Sequence, residues 1–383
     1  MKLRLRYQLT LFTIIRTVIN TMYRMIYPFL GVFARGLGVN IAELSLALAA
    51  RSVLGTFGPF AAIVADRRGR KFGMLLGLGV FTGGVAVVVY WPTLAGLTIA
   101  LVMSTMGKYI FDPSMQAYIG DRVPYERRGL AIAITEFGWS LAFIVGMPLV
   151  GFVISRNGWM APFPLLTLLG ALMFALLYFI LPRENHRPDP DATVFSNLRL
   201  VLVSVPVLAG LSIGLWASAG NEVVNLIFGV WLEDAFALKI VALAGASAVI
   251  GFAELGGEGL VALYVDKLGK QRAVAIGLIA NSFSALLLPF IGRTSTGALV
   301  GLFLFYITFE FTLVSIIPMM TEVLPEARAT VMAFNVAGES LGRAIGAPLA
   351  PILYHYGFPV VAAGAVMFNL FALLALGRMV KKQ

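Results

Sequence analysis

The chain has 383 residues, of which 59% are hydrophobic and only 13% charged. A water-soluble domain carries roughly 45–50% apolar and about 25% charged residues, so this chain lacks the polar side chains needed to cover a globule. Disorder, coiled coil and collagen-like structure are excluded on the same ground. No cysteine is present, which removes disulfides, thiolate catalysis and cysteine metal sites. The two histidines, His186 and His355, fall in predicted loops, so neither a cofactor nor a metal is expected. Apolar runs last about 20 residues, whereas barrel strands alternate over ~10. The expected class is an all-α integral membrane protein.

Twelve spans are expected, at about 8–33, 43–65, 72–91, 94–119, 129–155, 159–181, 201–231, 240–265, 272–292, 297–321, 328–353 and 357–377. Each is long enough to cross ~30 Å of hydrocarbon. Twenty of the 29 Lys and Arg residues lie in the two termini and the even-to-odd loops, against Arg35, Arg156, Lys239 and Arg293 on the opposite side. The positive-inside rule then places both termini in the cytoplasm, and the expected location is the cytoplasmic (inner) membrane. The net charge of +10 is thereby an orientation signal, and nucleic acid is not an expected partner.

Asp66-Arg67-Arg68-Gly69-Arg70-Lys71 follows span 2, and Asp266-Lys267-Leu268-Gly269-Lys270 follows span 8, 200 residues later. Gly146-Met147-Pro148-Leu149 in span 5 matches Gly346-Ala347-Pro348-Leu349 in span 11 at the same offset. Two matches at one offset predict a duplicated unit. The expected domains are a six-helix bundle over 1–181, a polar cytoplasmic linker over 182–200 and a second six-helix bundle over 201–383.

With these motifs the chain resembles the major facilitator superfamily over essentially its whole length. The loop at 66–71 is that superfamily's most specific signature, with Ala62 in place of the usual glycine four residues before the aspartate. Residues 111–129, from Phe111-Asp112-Pro113 through Val123-Pro124 to Arg127-Arg128-Gly129, are similar to the span 4–5 region of the drug and metabolite exporters. Their antiport pattern in span 5 is present in altered form, with Met147 between Gly146 and Pro148. The resemblance implies alternating access, a monomer and a conformational gate at Asp66, Arg67, Gly69 and Arg70. Asp266, Gly269 and Lys270 would form a weaker copy of that gate.

Ionisable residues in a bilayer face a bundle interior unless something hydrates them. Spans 3, 6, 9 and 12 hold none and are expected to face lipid; the other eight can line a polar interior. Depth along each span puts Arg16, Asp112 and Glu136 at a shallow level, with Arg24, Arg51 and Lys108 near the middle. Glu254, Glu310 and Glu339 also fall near the middle. The expected arrangement is a basic face on the first half opposite an acidic face on the second, across a central cavity. The expected substrate contacts are Asn20, Tyr23, Arg24 and Tyr27 on one face of span 1, then Arg51, Lys108, Glu222, Asn225 and Arg343. Low dielectric penalises a carboxylate's charge, so Glu254, Glu310 and Glu339, with Asp112 and Glu136, are the proton-coupling candidates. Trp139, Phe143 and Phe137 are expected to pack.

The function this predicts is secondary transport of a small organic molecule, by proton-coupled export. The alternatives are uptake or uniport of an organic anion, zwitterion or lipid-like amphiphile, and a non-transporting receptor or scaffold. An enzyme is not expected. The partners are substrate, protons and the lipid bilayer.

Overall fold

The structure is a computed structural model describing residues 3–58, 60, 69–182, 198–324 and 327–380. Asp66, Arg67 and most of the expected linker lie outside the described residues. Among the described residues there is no strand, as a bilayer requires of a chain that must satisfy each backbone polar group within its own segment. The helices in order are α1 Leu3–Arg24, α2 Leu30–Leu37, α3 Ile41–Gly55, α4 Arg70–Tyr90, α5 Leu94–Arg122, α6 Tyr125–Leu141, α7 Met147–Asn157 and α8 Pro162–Ile180. Then follow α9 Leu198–Val203, α10 Val205–Phe236, α11 Ile240–Leu268, α12 Lys270–Ile291, α13 Ser295–Val323, α14 Arg328–His355 and α15 Phe358–Val380. Among the described residues nine helices are long and apolar enough to cross a membrane, and the chain is a multi-pass membrane protein. The expected spans outside that set are 8–33, 43–65 and 328–353. These include the ones where Arg16, Arg24, Glu339 and Arg343 concentrate.

The first expected span is not one helix. α1 stops at Arg24, the chain turns through residues 25–29, and α2 resumes at Leu30. Pro28 has no N–H to donate and forces its predecessor out of helical geometry. Tyr27 N–H bonds the Arg24 carbonyl instead of that of Tyr23, so the Tyr23 carbonyl is released for other use. α2 then meets α3 at 110°. Gly38 turns the corner at φ +68°, and Asn40 caps α3 in a reciprocal bond pair with Glu43.

Span 5 is also irregular. Residues Ala142–Gly146 form a π-helical turn between α6 and α7, immediately before Pro148. The proline removes a ladder donor, and the wider turn absorbs the mismatch.

Positions about 200 residues apart share local structure. Thr93 caps α5 by accepting from Gly96 N–H, and Thr294 caps α13 by accepting from Gly297 N–H. Arg70 pairs with Asp121 at 3.4 Å, and Lys270 pairs with Glu322. Gly69 and Gly269, ahead of those bases, adopt φ +95° and +82°, conformations that suit glycine.

Leu168, Leu172 and Phe179 on α8 are exposed, as are Ile276, Phe283 and Phe290 on α12 and Leu370 and Leu374 on α15. The helical spacing gives each of these expected lipid-facing spans one apolar outer stripe. The inner helices meet across the halves: α3 packs on α14, α7 on α11 and α2 on α10. Below, the end at which α1 begins is the near end, and the end at Gly38 is the far end.

Candidate functional site

Three polar layers follow one another along span 1. The first lies toward the near end. Arg16 reaches Asp112 at 3.2 Å and Glu136 at 2.7 Å, and donates to the Thr135 carbonyl at 3.0 Å. Lys108 pairs with the same Asp112 at 2.7 Å. Two bases and two acids from α1, α5 and α6 cancel here, all within the first half. Lys108 also lies 5.6 Å from the Trp139 ring centre. Its neighbour four residues on is an acid, and helical geometry puts the two side chains together.

The second layer joins the halves. Arg24 at the end of α1 donates to both carboxylate oxygens of Glu254 on α11, at 2.8 and 2.5 Å. Both side chains are about nine-tenths or more buried, with 5% and 4% exposed. The guanidinium also donates to the Trp139 carbonyl at 3.2 Å. It lies 4.2 Å from the Trp139 ring centre and 3.4 Å from that of Phe143. These two aromatic residues thus do more than fill space. Phe143 stands in the π-helical turn, so that irregularity helps to seat Arg24. Phe137 is exposed and takes no part.

Two further carboxylates crowd Glu254. Glu258 is one turn away on α11, and Glu310 comes from α13; the charges acting on Glu310 are Glu254, Glu258, Arg24 and Glu339. A Cβ built on Gly257 would lie 2.7 Å from Glu310 Cβ, so glycine there permits α13 to approach. No hydrogen bond or ion pair to Glu258 or Glu310 is found among the described residues. The group holds three acids and one base.

The third layer surrounds the break in span 1. Arg51 on α3 donates to the freed Tyr23 carbonyl at 2.5 Å and to the Tyr27 hydroxyl at 2.7 Å. Tyr27 in turn donates to Glu222 Oε1 on α10 at 2.9 Å. Glu222 Oε2 is buried without a bonded partner. A Cβ on Gly346 would lie 2.8 Å from Glu222 Cβ, so α14 closes tightly behind this carboxylate. Arg343 on α14 acts on Glu222 electrostatically, yet no hydrogen bond or ion pair to its guanidinium is found among the described residues. Glu339 accepts from Asn335 at 2.8 Å. Asn20 donates to the Gly138 carbonyl at 3.2 Å, and Tyr306 donates to Asn225 at 2.7 Å. Asp266 lies apart from these layers, at the near end with Gly269 and Lys270.

Some participants carry no charge and gave no signal. The Tyr109 and Ser340 hydroxyls meet across the halves at 2.9 Å. A Cβ on Gly229 would lie 2.5 Å from the Pro28 carbonyl, which brings α10 against the broken turn. Arg35 and Glu233 pair across the halves at 2.6 Å at the far end. Sequence reading used Arg35 only for orientation. These direct cross-half bonds run from mid-depth to the far end.

The profile of the Major Facilitator Superfamily matches residues 12–321 and 260–382. The chain belongs to that superfamily, and it is a transporter by family. It is 25% identical to the uncharacterized MFS-type transporter YwfA of Bacillus subtilis, over 88% of this chain and 83% of that protein. It is 23% identical to the multi-drug resistance efflux pump PmrA of Streptococcus pneumoniae, over 90% of this chain and 91% of that one. Among solved structures, a bacterial homolog to the human lysosomal transporter Spinster, in an inward-facing and unoccupied conformation, superimposes with a TM-score of 0.78. It is 15% identical, and 99% of this chain and 97% of that one are covered.

Proposed function

We propose that this chain is a proton-coupled exporter of a small organic molecule, working by alternating access in the cytoplasmic membrane. It is read as twelve spans in two six-helix bundles, 1–181 and 201–383, with a linker at 182–200 and both termini in the cytoplasm. It acts as a monomer and not as an enzyme. The basic residues concentrate at the near end, which makes that end cytoplasmic. The cross-half bonds then hold the outer side closed, which supports reading this state as the one open to the cytoplasm.

The observation that carries the reading is the Arg24–Glu254 pair with Glu258 and Glu310 beside it. A group of three acids and one base in a dry interior holds a proton, because uncompensated charge there is costly. A proton entering the group weakens its hold on Arg24 and loosens the contact between halves. Proton departure restores it. Substrate occupies the space between Arg24, Arg51, Tyr27, Glu222 and Arg343. Gly69 and Arg70, with the loop before them, brace the near end in the opposite state. PmrA, as a multi-drug efflux pump, supports export as the direction.

The test uses everted membrane vesicles acidified inside by respiration. Compounds that raise the protein's melting temperature should collapse the pH gradient in parent vesicles and fail to do so with Glu310→Gln. Transport at one rate whatever the pH gradient contradicts the reading. The unpaired Arg343 favours one second reading, uptake of an anion or zwitterion, which reversing the imposed gradient separates from export.

A further inference from the structure

Glu339 and Arg343 stand one turn apart on α14, with the acid toward the helix N-terminus. That order and spacing favour an ion pair, and in a dry interior the attraction is stronger than in water. No such pair is found among the described residues. Glu339 is drawn one turn back, where Asn335 Nδ2 donates to its Oε1 at 2.8 Å. Arg343 is half-buried, and the groups acting on it are Tyr23, Glu339, Tyr109 and Glu222. Tyr109 is fixed by Ser340 at 2.9 Å, and Tyr23 by the Arg51 guanidinium 3.9 Å from its ring centre. Two opposite charges thus stand one turn apart without a direct bond, near two positioned tyrosines.

We infer that Arg343 and Glu339 form a two-point receptor for a small zwitterion of amino-acid type. Its carboxylate docks on the Arg343 fork and its ammonium on Glu339. This rests on the transport reading above and narrows its substrate class. Arg343 stands near both Glu222 and Glu339, and Arg51 near Glu222. A plain anion on Arg343 would meet both acids, and a plain cation on Glu339 would meet Arg343. A ligand with separated, balanced charge meets neither penalty. The tyrosines take its organic side group, and the forked guanidinium gives a carboxylate two parallel bonds.

Four matched probes decide it: phenylalanine, N-acetylphenylalanine, phenylalanine methyl ester and N-acetylphenylalanine amide. Binding of each to the purified full chain in detergent is measured by melting temperature and by calorimetry. Phenylalanine should bind best. Arg343→Gln should weaken it by about tenfold to a hundredfold and should not weaken the ester. Glu339→Gln should bring phenylalanine down to the level of the N-acetyl compound. If Arg343→Gln does not fold, Arg343→Lys keeps the charge without the fork and should give a smaller loss in the same direction. Phenylalanine binding no better than its ester or its N-acetyl form, or not at all, overturns the inference. So do variants that bind all four probes like the parent. The readout needs no membrane or pH gradient, so it stands or falls separately from Glu310-dependent coupling.

Discussion

Arg24 and Glu254 are 230 positions apart in sequence and meet through two hydrogen bonds, at 2.8 and 2.5 Å, where span 1 breaks. Removing one partner of a buried pair leaves an uncompensated charge, at a cost of about 3–5 kcal/mol. Arg24→Gln and Glu254→Gln should therefore each lower the melting temperature of the detergent-solubilised protein markedly. The double variant should recover most of the loss. A double variant that melts where the singles do would show that the two side chains act independently.

Glu310 has an acid on either side and no bonded base among the described residues. Glu310→Gln keeps the shape and removes the charge. It should leave the protein at least as heat-stable as the parent and make transport independent of the pH gradient. Glu258→Gln, on the more exposed member of the group, should have a smaller effect. Both are read by substrate flux across reconstituted vesicles at several imposed gradients.

Tyr27→Phe removes the hydroxyl that accepts from Arg51 and donates to Glu222. Two buried polar groups lose a partner together, at about 1–3 kcal/mol each. Lower stability is expected, along with weaker substrate binding, and calorimetry on the purified variant checks both.

The far-end closure depends on Gly229, where a Cβ would stand 2.5 Å from the Pro28 carbonyl. The chain has no cysteine, so introduced pairs report cleanly. Arg35→Cys with Glu233→Cys should form a cross-link readily with a short bifunctional thiol reagent. Adding Gly229→Ala should cut its yield several-fold by holding the far end apart. An unchanged yield would show that the helices do not need that close approach.

The bilayer makes each ionisable residue conspicuous, and for that reason Arg24, Arg51, Glu222, Glu254 and Glu310 stood out in the sequence. Their pairing did not, because partners depend on how each helix is rotated and on where span 1 breaks. Pro28 was the available sign of that break. It was passed over because an apolar run of the right length reads as one helix whether or not a proline interrupts it. Lys108 pairs with Asp112, the acid one turn later on the same helix, a partner that spacing alone offers. Tyr109, Ser340 and Gly229 are uncharged residues in apolar surroundings, and only the packed structure distinguishes them from neighbours of the same type. Arg70 with Asp121 and Lys270 with Glu322 are like pairs about 200 residues apart. The motif supplied the bases, and the acids fall at nearly the same offset on the helices that follow.

The central claim is that the halves rock about this site, so that one end closes as the other opens. Helices α6 and α7 of span 5 both meet α11 across the halves, which suits spin-label pairs at both ends of that contact. One pair joins Asn157 to Lys239 at the far end, and the other joins Arg127 to Lys267 at the near end; all four residues are exposed. Electron–electron distance measurements should find the far pair lengthening while the near pair shortens when substrate is added or the pH changed. Distances that stay fixed at both ends under every condition, or that change together, would contradict the account.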